Sequence, residues 1–271
     1  MASLMLEITR KCATSCDFCS AMASPFATRE MTLETATGMI ESAARIGVDT
    51  IQVTGGEPFM HPDLLEIAGA AINHGMKVEI LTSGIMPYSK PLPVWKLGPL
   101  CNAGCTISVG LHPYNANWLA VIINTMVEAM ACGGKVVGRF VPVRGMEDLF
   151  FNIVGVCNAI GVKEIHVSRF LPHGRATLDM VPDPRFYERA SRYRTPVKIT
   201  FGTTCLGEGT CKAGTGKHFV SCDCMYSPCV ALRYVDEYTA RIDSLEDPVV
   251  KELAGKAAAC DGPPCEVVWK E

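Results

Sequence analysis

The chain has 271 residues, of which 48% are hydrophobic and 20% charged, and its formal net charge is −3. That length suits one large domain, or a large domain with a smaller appendage, and the absence of any dense Lys/Arg stretch excludes a broad nucleic-acid-binding face. The opening "MASLMLEITRK" is too short and polar for a signal peptide and no apolar run reaches membrane-spanning length, so a cytoplasmic protein with no membrane partner is expected.

Short β-rich runs alternate with helical patterns from residue 4 to about residue 170. "LMLEIT" (4–9) reads as the first strand, and the cysteine-bearing stretch "TRKCATSCDFCS" overlaps its end. "TLETATGMIESAARIG" (32–47) has apolar spacings of three and four and ends in Gly, the usual helix stop. Next come a strand "TIQVT" (50–54), a helix over 61–75, a strand "KVEILT" (77–82), and a Pro/Gly-rich stretch over 84–104 whose helix is poorly defined. "CTISVGL" (105–111), a helix over 117–134, "KVVGRFVPV" (135–143), a helix over 146–161 and "EIHVSRF" (164–170) complete the series. Strands that are nearly continuous in apolar residues and alternate with helices predict an α/β fold, a partial (β/α)6 TIM-like barrel. Its chemistry belongs at the C-terminal ends of the strands. After residue 171 come a loop, a short helix to about Arg194, one further strand candidate "VKITF" (197–201), and some 70 cysteine-dense residues with little apolar pattern of their own. The expected division is a barrel core over 1–175 and a small extension over 176–271, a β-hairpin plus a helix, which needs a metal to become ordered.

Fourteen cysteines are many for such a chain, and their distribution is uneven: Cys12, Cys16 and Cys19, four scattered through the middle, and seven from Cys205 to Cys265. In a reducing compartment clustered cysteines read as metal ligands rather than disulfides. Three thiols are too few for a closed zinc site unless a distant Cys or His completes it. Three thiolates can instead hold a four-iron cube by three of its irons, leaving one iron open. The spacing Cys-x3-Cys-x2-Cys, with Phe18 before the last cysteine, resembles the signature of the radical S-adenosylmethionine (SAM) superfamily. The second strand runs into Gly55, Gly56, Glu57 and Pro58, which resembles that family's turn for the SAM amino group. Two glycines permit close main-chain approach, and a carboxylate matches an ammonium.

The resemblance spans residues 4 to about 175. It implies a [4Fe-4S] cluster on Cys12, Cys16 and Cys19, SAM chelated to the open iron, and reductive cleavage to a 5′-deoxyadenosyl radical that abstracts hydrogen from a substrate. It also points to Ser83 in "LTSG" near SAM, to Ser108 and His112 in "SVGLH" facing the ribose or substrate region, and to Arg139 or Arg144 in "GRFVPVRG" near the SAM carboxylate. Each of these also fits a plainer role: a turn serine, a loop histidine or a surface charge.

In the C-terminal stretch, Cys211-x-Ala-Gly, a β-like run and then Pro228-Cys229 resemble the opening of the SPASM and twitch extensions of that superfamily, and "RFLPHGRA" (169–176) resembles the junction before them. This implies one auxiliary [4Fe-4S] cluster through Cys211, Cys229, Cys260 and Cys265, with Cys205 as the main substitute. Cys222 and Cys224 fall in the hairpin turn with their roles open, and a zinc knuckle on the same thiols is the alternative. Cys132 and Cys157 read as free buried thiols, and Cys101 and Cys105 as packing residues with a redox pair as the alternative.

The reading that results is a radical SAM oxidoreductase or maturase acting on a small-molecule or peptide substrate, supplied by a reductant such as flavodoxin or ferredoxin. Because the chain opens almost at its first strand, a peptide substrate is expected to use a separate recognition partner or none. The alternative, a non-catalytic iron–sulfur electron carrier or zinc-binding scaffold, accounts for the cysteines but not for Gly55 to Pro58.

Overall fold

The computed structural model describes residues 2–112, 116–202, 213–214 and 216–259. Strands form at the predicted β-rich runs: β1 (Ala2–Thr9), β2 (Val48–Gly55), β3 (Lys77–Thr82), β4 (Thr106–Gly110), β5 (Lys135–Phe140), β6 (Glu164–Val167) and β7 (Lys198–Phe201). They lie side by side in that order, all parallel. Helices α1 (Leu33–Arg45), α2 (Leu64–Asn73), α3 (Val94–Asn102), α4 (Ala116–Ala131), α5 (Glu147–Ala159) and α6 (Arg185–Arg192) make the crossovers. In α1 the Thr32 hydroxyl caps the helix by accepting from the Thr35 amide, and Ala36, Met39, Ile40 and Ala43 are buried at helical spacing. α3 forms despite Pro99 inside it, because Leu97, Leu100 and Cys101 bury their side chains in the core. Tertiary packing there outweighs local propensity.

The C-terminal part does form a hairpin and a helix. β8 (Lys217–Val220) and β9 (Met225–Ser227) make the hairpin, β10 (Ala240–Arg241) pairs with β9, and α7 (Pro248–Ala258) follows. The hairpin joins the barrel sheet, since β8 runs parallel beside β1 with Ser3 opposite Lys217 and Leu6 opposite Val220. Among the described residues one ten-stranded sheet results, in the order β10-β9-β8-β1-β2-β3-β4-β5-β6-β7. The sheet therefore continues past residue 175 at both ends.

Side chains alternate across the sheet. Leu4, Leu6, Ile8, Ile51, Val53, Val78, Ile80, Ile107, Val109 and Ile165 make one apolar face, packed in the main core beneath the helices. The opposite face carries Glu7, Gln52, Glu79, Ser108, Arg139, His166 and Thr200, so the barrel interior is polar. Among the described residues no helix is long and apolar enough to cross a membrane.

Candidate active site

β1 delivers the chain into a lobe over residues 10–31 that closes on itself by backbone bonds. Arg10 N donates to Arg29 O (2.9 Å), Cys12 N to Ser24 O (3.1 Å), and Met31 N returns to Ile8 O (2.8 Å). The three cysteines lie on this lobe, at the C-terminal end of the strand. Cys12 is buried with Ala21 and Ala23 and packs against Cys19, and Thr14 Oγ1 lies 3.3 Å from Cys12 Sγ and 3.5 Å from Cys16 Sγ. Burial, reinforced by the nearby Glu57, pushes the Cys12 thiol up to about 11. Among the described residues no three His, Cys, Asp or Glu side chains converge on one point as a single metal ion requires. A cube binds its ligands at separate corners, so it needs three soft thiols on one loop rather than around one centre. The lobe meets that requirement.

The turn after β2 sits directly on the lobe. Gly56 N donates to Thr9 O (2.6 Å) and Glu57 N to Lys11 O (2.8 Å). A Cβ at Gly56 would collide with the Lys11 carbonyl, so the approach needs glycine. Glu57 has no exposed surface, and four donors use its two oxygens. Oε1 accepts from Thr82 Oγ1 (2.7 Å) and Phe59 N (3.2 Å), and Oε2 from the Ser83 amide (2.8 Å) and hydroxyl. Burial raises the Glu57 carboxyl, against the hydrogen bonds from Ser83, Thr82 and Phe59. The residues after Pro58 are held by Lys96 of α3, whose ammonium donates to Phe59 O (3.1 Å) and His61 O (2.6 Å). His61 in turn donates from Nε2 to Met31 O (2.8 Å) and accepts at Nδ1 from Asp63 N, which ties this turn to the end of the lobe.

The residues singled out from the sequence thus fall into two groups. Cys12, Gly55, Gly56, Glu57, Pro58 and Ser83 come together at the strand ends. Ser108 and Arg139 meet deeper in the barrel on Glu79, which accepts from Arg139 (2.7 Å), from Gln52 (2.6 Å) and from Ser108. Burial alone would raise the Glu79 carboxyl, but Arg139 and the hydrogen bonds hold it below its ordinary range. A cavity of about 230 Å³ opens below this pair at the N-terminal ends of the strands, lined by Lys77, Lys135 and His166 among others. His112 accepts from Val141 N and meets the ring of Phe18 edge-on at 5.1 Å, so it braces the cysteine lobe. Arg144 is exposed and donates to Val181 O.

Glu79, Thr82 and Lys96 carry the site's framework and were not singled out from the sequence, and the segment 173–175, quoted there only as part of a junction (169–176), grips the cysteine lobe. Glu79 left one trace, a lone carboxylate on the inward phase of an apolar strand. Arg175 Nε donates to Cys16 O (2.9 Å), its Nη2 to Ala23 O (2.7 Å), and its amide to Cys19 O (3.1 Å). Cys229 is buried in a second small core with Ala213, Leu232 and Tyr238, whereas Cys205, Cys211, Cys260 and Cys265 lie outside the described residues. Cys222 is buried with its thiol 3.5 Å from Glu7 Oε1, and Cys224 closes the β8–β9 turn at φ +60°.

Residues 6–125 match the radical SAM superfamily. This stretch is similar to a radical SAM domain. Within this stretch lie the cysteine lobe, the Gly55–Pro58 turn, Ser83 and Ser108. By sequence the chain is similar to the PqqA peptide cyclase of Gluconobacter oxydans, 34% identical over 85 residues, 31% of this chain and 24% of that protein. It is also similar to the PqqA peptide cyclase of a Methylobacterium, 26% identical over 184 residues, 64% of this chain and 48% of that one. The matched stretch spans about a quarter of the length of the first such relatives. By fold the chain is similar to Streptococcus suis SuiB bound to its precursor peptide SuiA, with TM-score 0.77, 16% identity, and coverage of 96% of this chain and 67% of that one. It is likewise similar to anSMEcpe with bound AdoMet, with TM-score 0.67, 13% identity, and coverage of 93% and 79%. The stretch that matches the radical SAM superfamily thus lies in a mostly parallel α/β sheet of the same architecture as these structures.

Proposed function

We propose that this chain is a radical SAM enzyme that modifies a peptide, by oxidation or cross-linking. Cys12, Cys16 and Cys19 would hold the [4Fe-4S] cluster, and the backbone of Gly55–Pro58 would receive the SAM amino group. The group so bound supplies a one-electron cleavage of SAM and hydrogen abstraction from the substrate. What this chain's own residues contribute is position. Glu57 and Ser83 fix the ends of β2 and β3, Lys96 and His61 hold the turn against the lobe, and the polar layer on Glu79 keeps the barrel interior ordered beneath them.

The observation that carries the reading is the direct backbone seating of the Gly55–Glu57 turn on Thr9 and Lys11, which brings a SAM-type turn and three thiols to one strand mouth. The peptide as substrate rests on the named activities of the PqqA peptide cyclases and on the fold shared with SuiB. The division proposed is a core over 1–175 and an extension over 176–271 with one auxiliary [4Fe-4S] cluster through Cys211, Cys229, Cys260 and Cys265, Cys205 substituting. A reductant such as flavodoxin or ferredoxin and a cytoplasmic setting complete it.

The test is formation of 5′-deoxyadenosine under reducing, anaerobic conditions by the reconstituted chain, and its loss when Cys12, Cys16 and Cys19 are all changed to Ala. Formation undiminished in the triple variant overturns the assignment.

A further inference from the structure

His173 is 9% exposed, and among the described residues neither of its ring nitrogens has a hydrogen-bond partner. A buried polar group left unpaired is costly, so its retention signals a partner that arrives with something bound. The side chain stands in the segment that grips the cysteine lobe. Its neighbour Gly174, at φ +70°, passes so close to the lobe that a Cβ there would lie 2.7 Å from Cys19 O and 2.6 Å from Ser20 O. Arg175 binds Cys16, Cys19 and Ala23 through their carbonyls. On its other side the imidazole meets the ring of Tyr234 edge-on at 5.5 Å, and the Tyr234 hydroxyl donates to Ser20 O (2.7 Å). Two separate elements therefore pin His173 beside residues 16–20.

Every lobe atom these contacts reach belongs to residues 16–23, the stretch that carries Cys16 and Cys19. We propose that the His173 ring N–H donates a hydrogen bond to a sulfur of the iron–sulfur group held by Cys12, Cys16 and Cys19, and so raises that group's reduction potential. The proposal rests on the cluster assignment made above. Hydrogen bonds to cluster sulfurs are a recognised determinant of potential, because a donor stabilises the more negatively charged reduced form. The edge-on packing against Tyr234 and the tether through Gly174 and Arg175 supply the fixed orientation that such a bond needs.

The experiment is an EPR-monitored redox titration of the reconstituted full chain, compared with His173→Phe, which keeps the ring shape without a donor, and His173→Gln, which keeps a donor. The Phe variant should shift the potential of the N-terminal cluster downward, by about tenfold in the one-electron equilibrium or ~59 mV. The Gln variant should recover most of that shift. An unchanged potential in the Phe variant with iron intact overturns the proposal, as does a shift confined to any cluster that survives loss of Cys12, Cys16 and Cys19. If the Phe variant fails to load iron, the unaltered protein labelled with 15N-histidine decides. Its reduced N-terminal cluster should show a weakly coupled histidine nitrogen that disappears in His173→Gln, and the absence of that coupling refutes the bond. Absence of any cluster signal from Cys12, Cys16 and Cys19 would instead defeat the underlying assignment, and the two failures are thereby distinct.

Discussion

Two buried carboxylates meet opposite electrostatic fates in this barrel. Glu57 is surrounded by neutral donors and burial raises it, whereas Glu79 faces Arg139 and is lowered. Stability contributed by Glu79 is therefore fully present above its ordinary pKa of 4.5 and is lost as pH falls through the lower folded value. Glu57 acts in the reverse sense, its contribution falling as pH rises from 4.5 through its higher folded value. Glu79→Gln should lower the unfolding free energy at pH 7 by on the order of 2–3 kcal/mol and flatten the acid limb, read by urea denaturation at several pH values. An acid limb identical to that of the unaltered chain would assign the sensitivity elsewhere. Glu57→Gln replaces one acceptor oxygen with a donor facing two donors already in place. SAM affinity should fall by roughly 10- to 100-fold, equivalent to about 1.5–3 kcal/mol, and titration calorimetry on the iron-loaded protein would measure it. Equal affinity would remove Glu57 from the site's framework.

At the scale of elements, the cysteine lobe is held from three directions: by the β2 turn, by the 173–175 segment, and by His112 against Phe18. Gly174→Ala should push the 173–175 segment off Cys19 and Ser20 of the lobe and cut the iron bound per chain after reconstitution, while Ala at the unconstrained Gly155 of α5 should not. Similar iron content in both would mean that the segment does not position the lobe. Much of this architecture was legible in the sequence, because β1 to β7 and four of the helices carry their periodicity openly. α3 was not, since Pro93, Gly98 and Pro99 mask a helix that only burial of Leu97 and Leu100 sustains. At the site, Cys12, Cys16, Cys19 and Gly55–Pro58 were readable because their spacing is local. The link of Arg175 to Cys16 spans 159 residues, and no periodicity announces such a contact.

For the whole molecule, the joint between the barrel and its C-terminal part adds buried ion pairs to the β8–β1 pairing and a shared apolar core. Glu7 of β1, 1% exposed, binds Arg233 and Arg10, and Asp223 in the β8–β9 turn binds Arg10 (3.2 Å) and Arg29 (2.7 Å). Arg233 also lies over the ring of Phe219 at 4.5 Å. Breaking one partner of a buried pair leaves the other charge stranded, so Arg233→Met should destabilise by about 3 kcal/mol in chemical denaturation. Arg233→Met combined with Glu7→Gln should recover part of that loss. A double variant as unstable as the sum of the two single changes would show that the pair is not coupled.

The parallel pairing of β8 with β1 also sets an order of events during synthesis. Ser3 waits for Gly216, 213 residues later, before its side-chain bond can form. At a ribosomal pace of 5–20 residues per second that delay is about 10–40 s, during which the strand feeding the cysteine lobe has one edge open. An unpaired edge invites pairing with other chains, so nascent chains are most vulnerable to aggregation before the hairpin emerges. A chain ended at residue 202 should accumulate in inclusion bodies where the full chain does not, and fractionation of lysates would measure the difference.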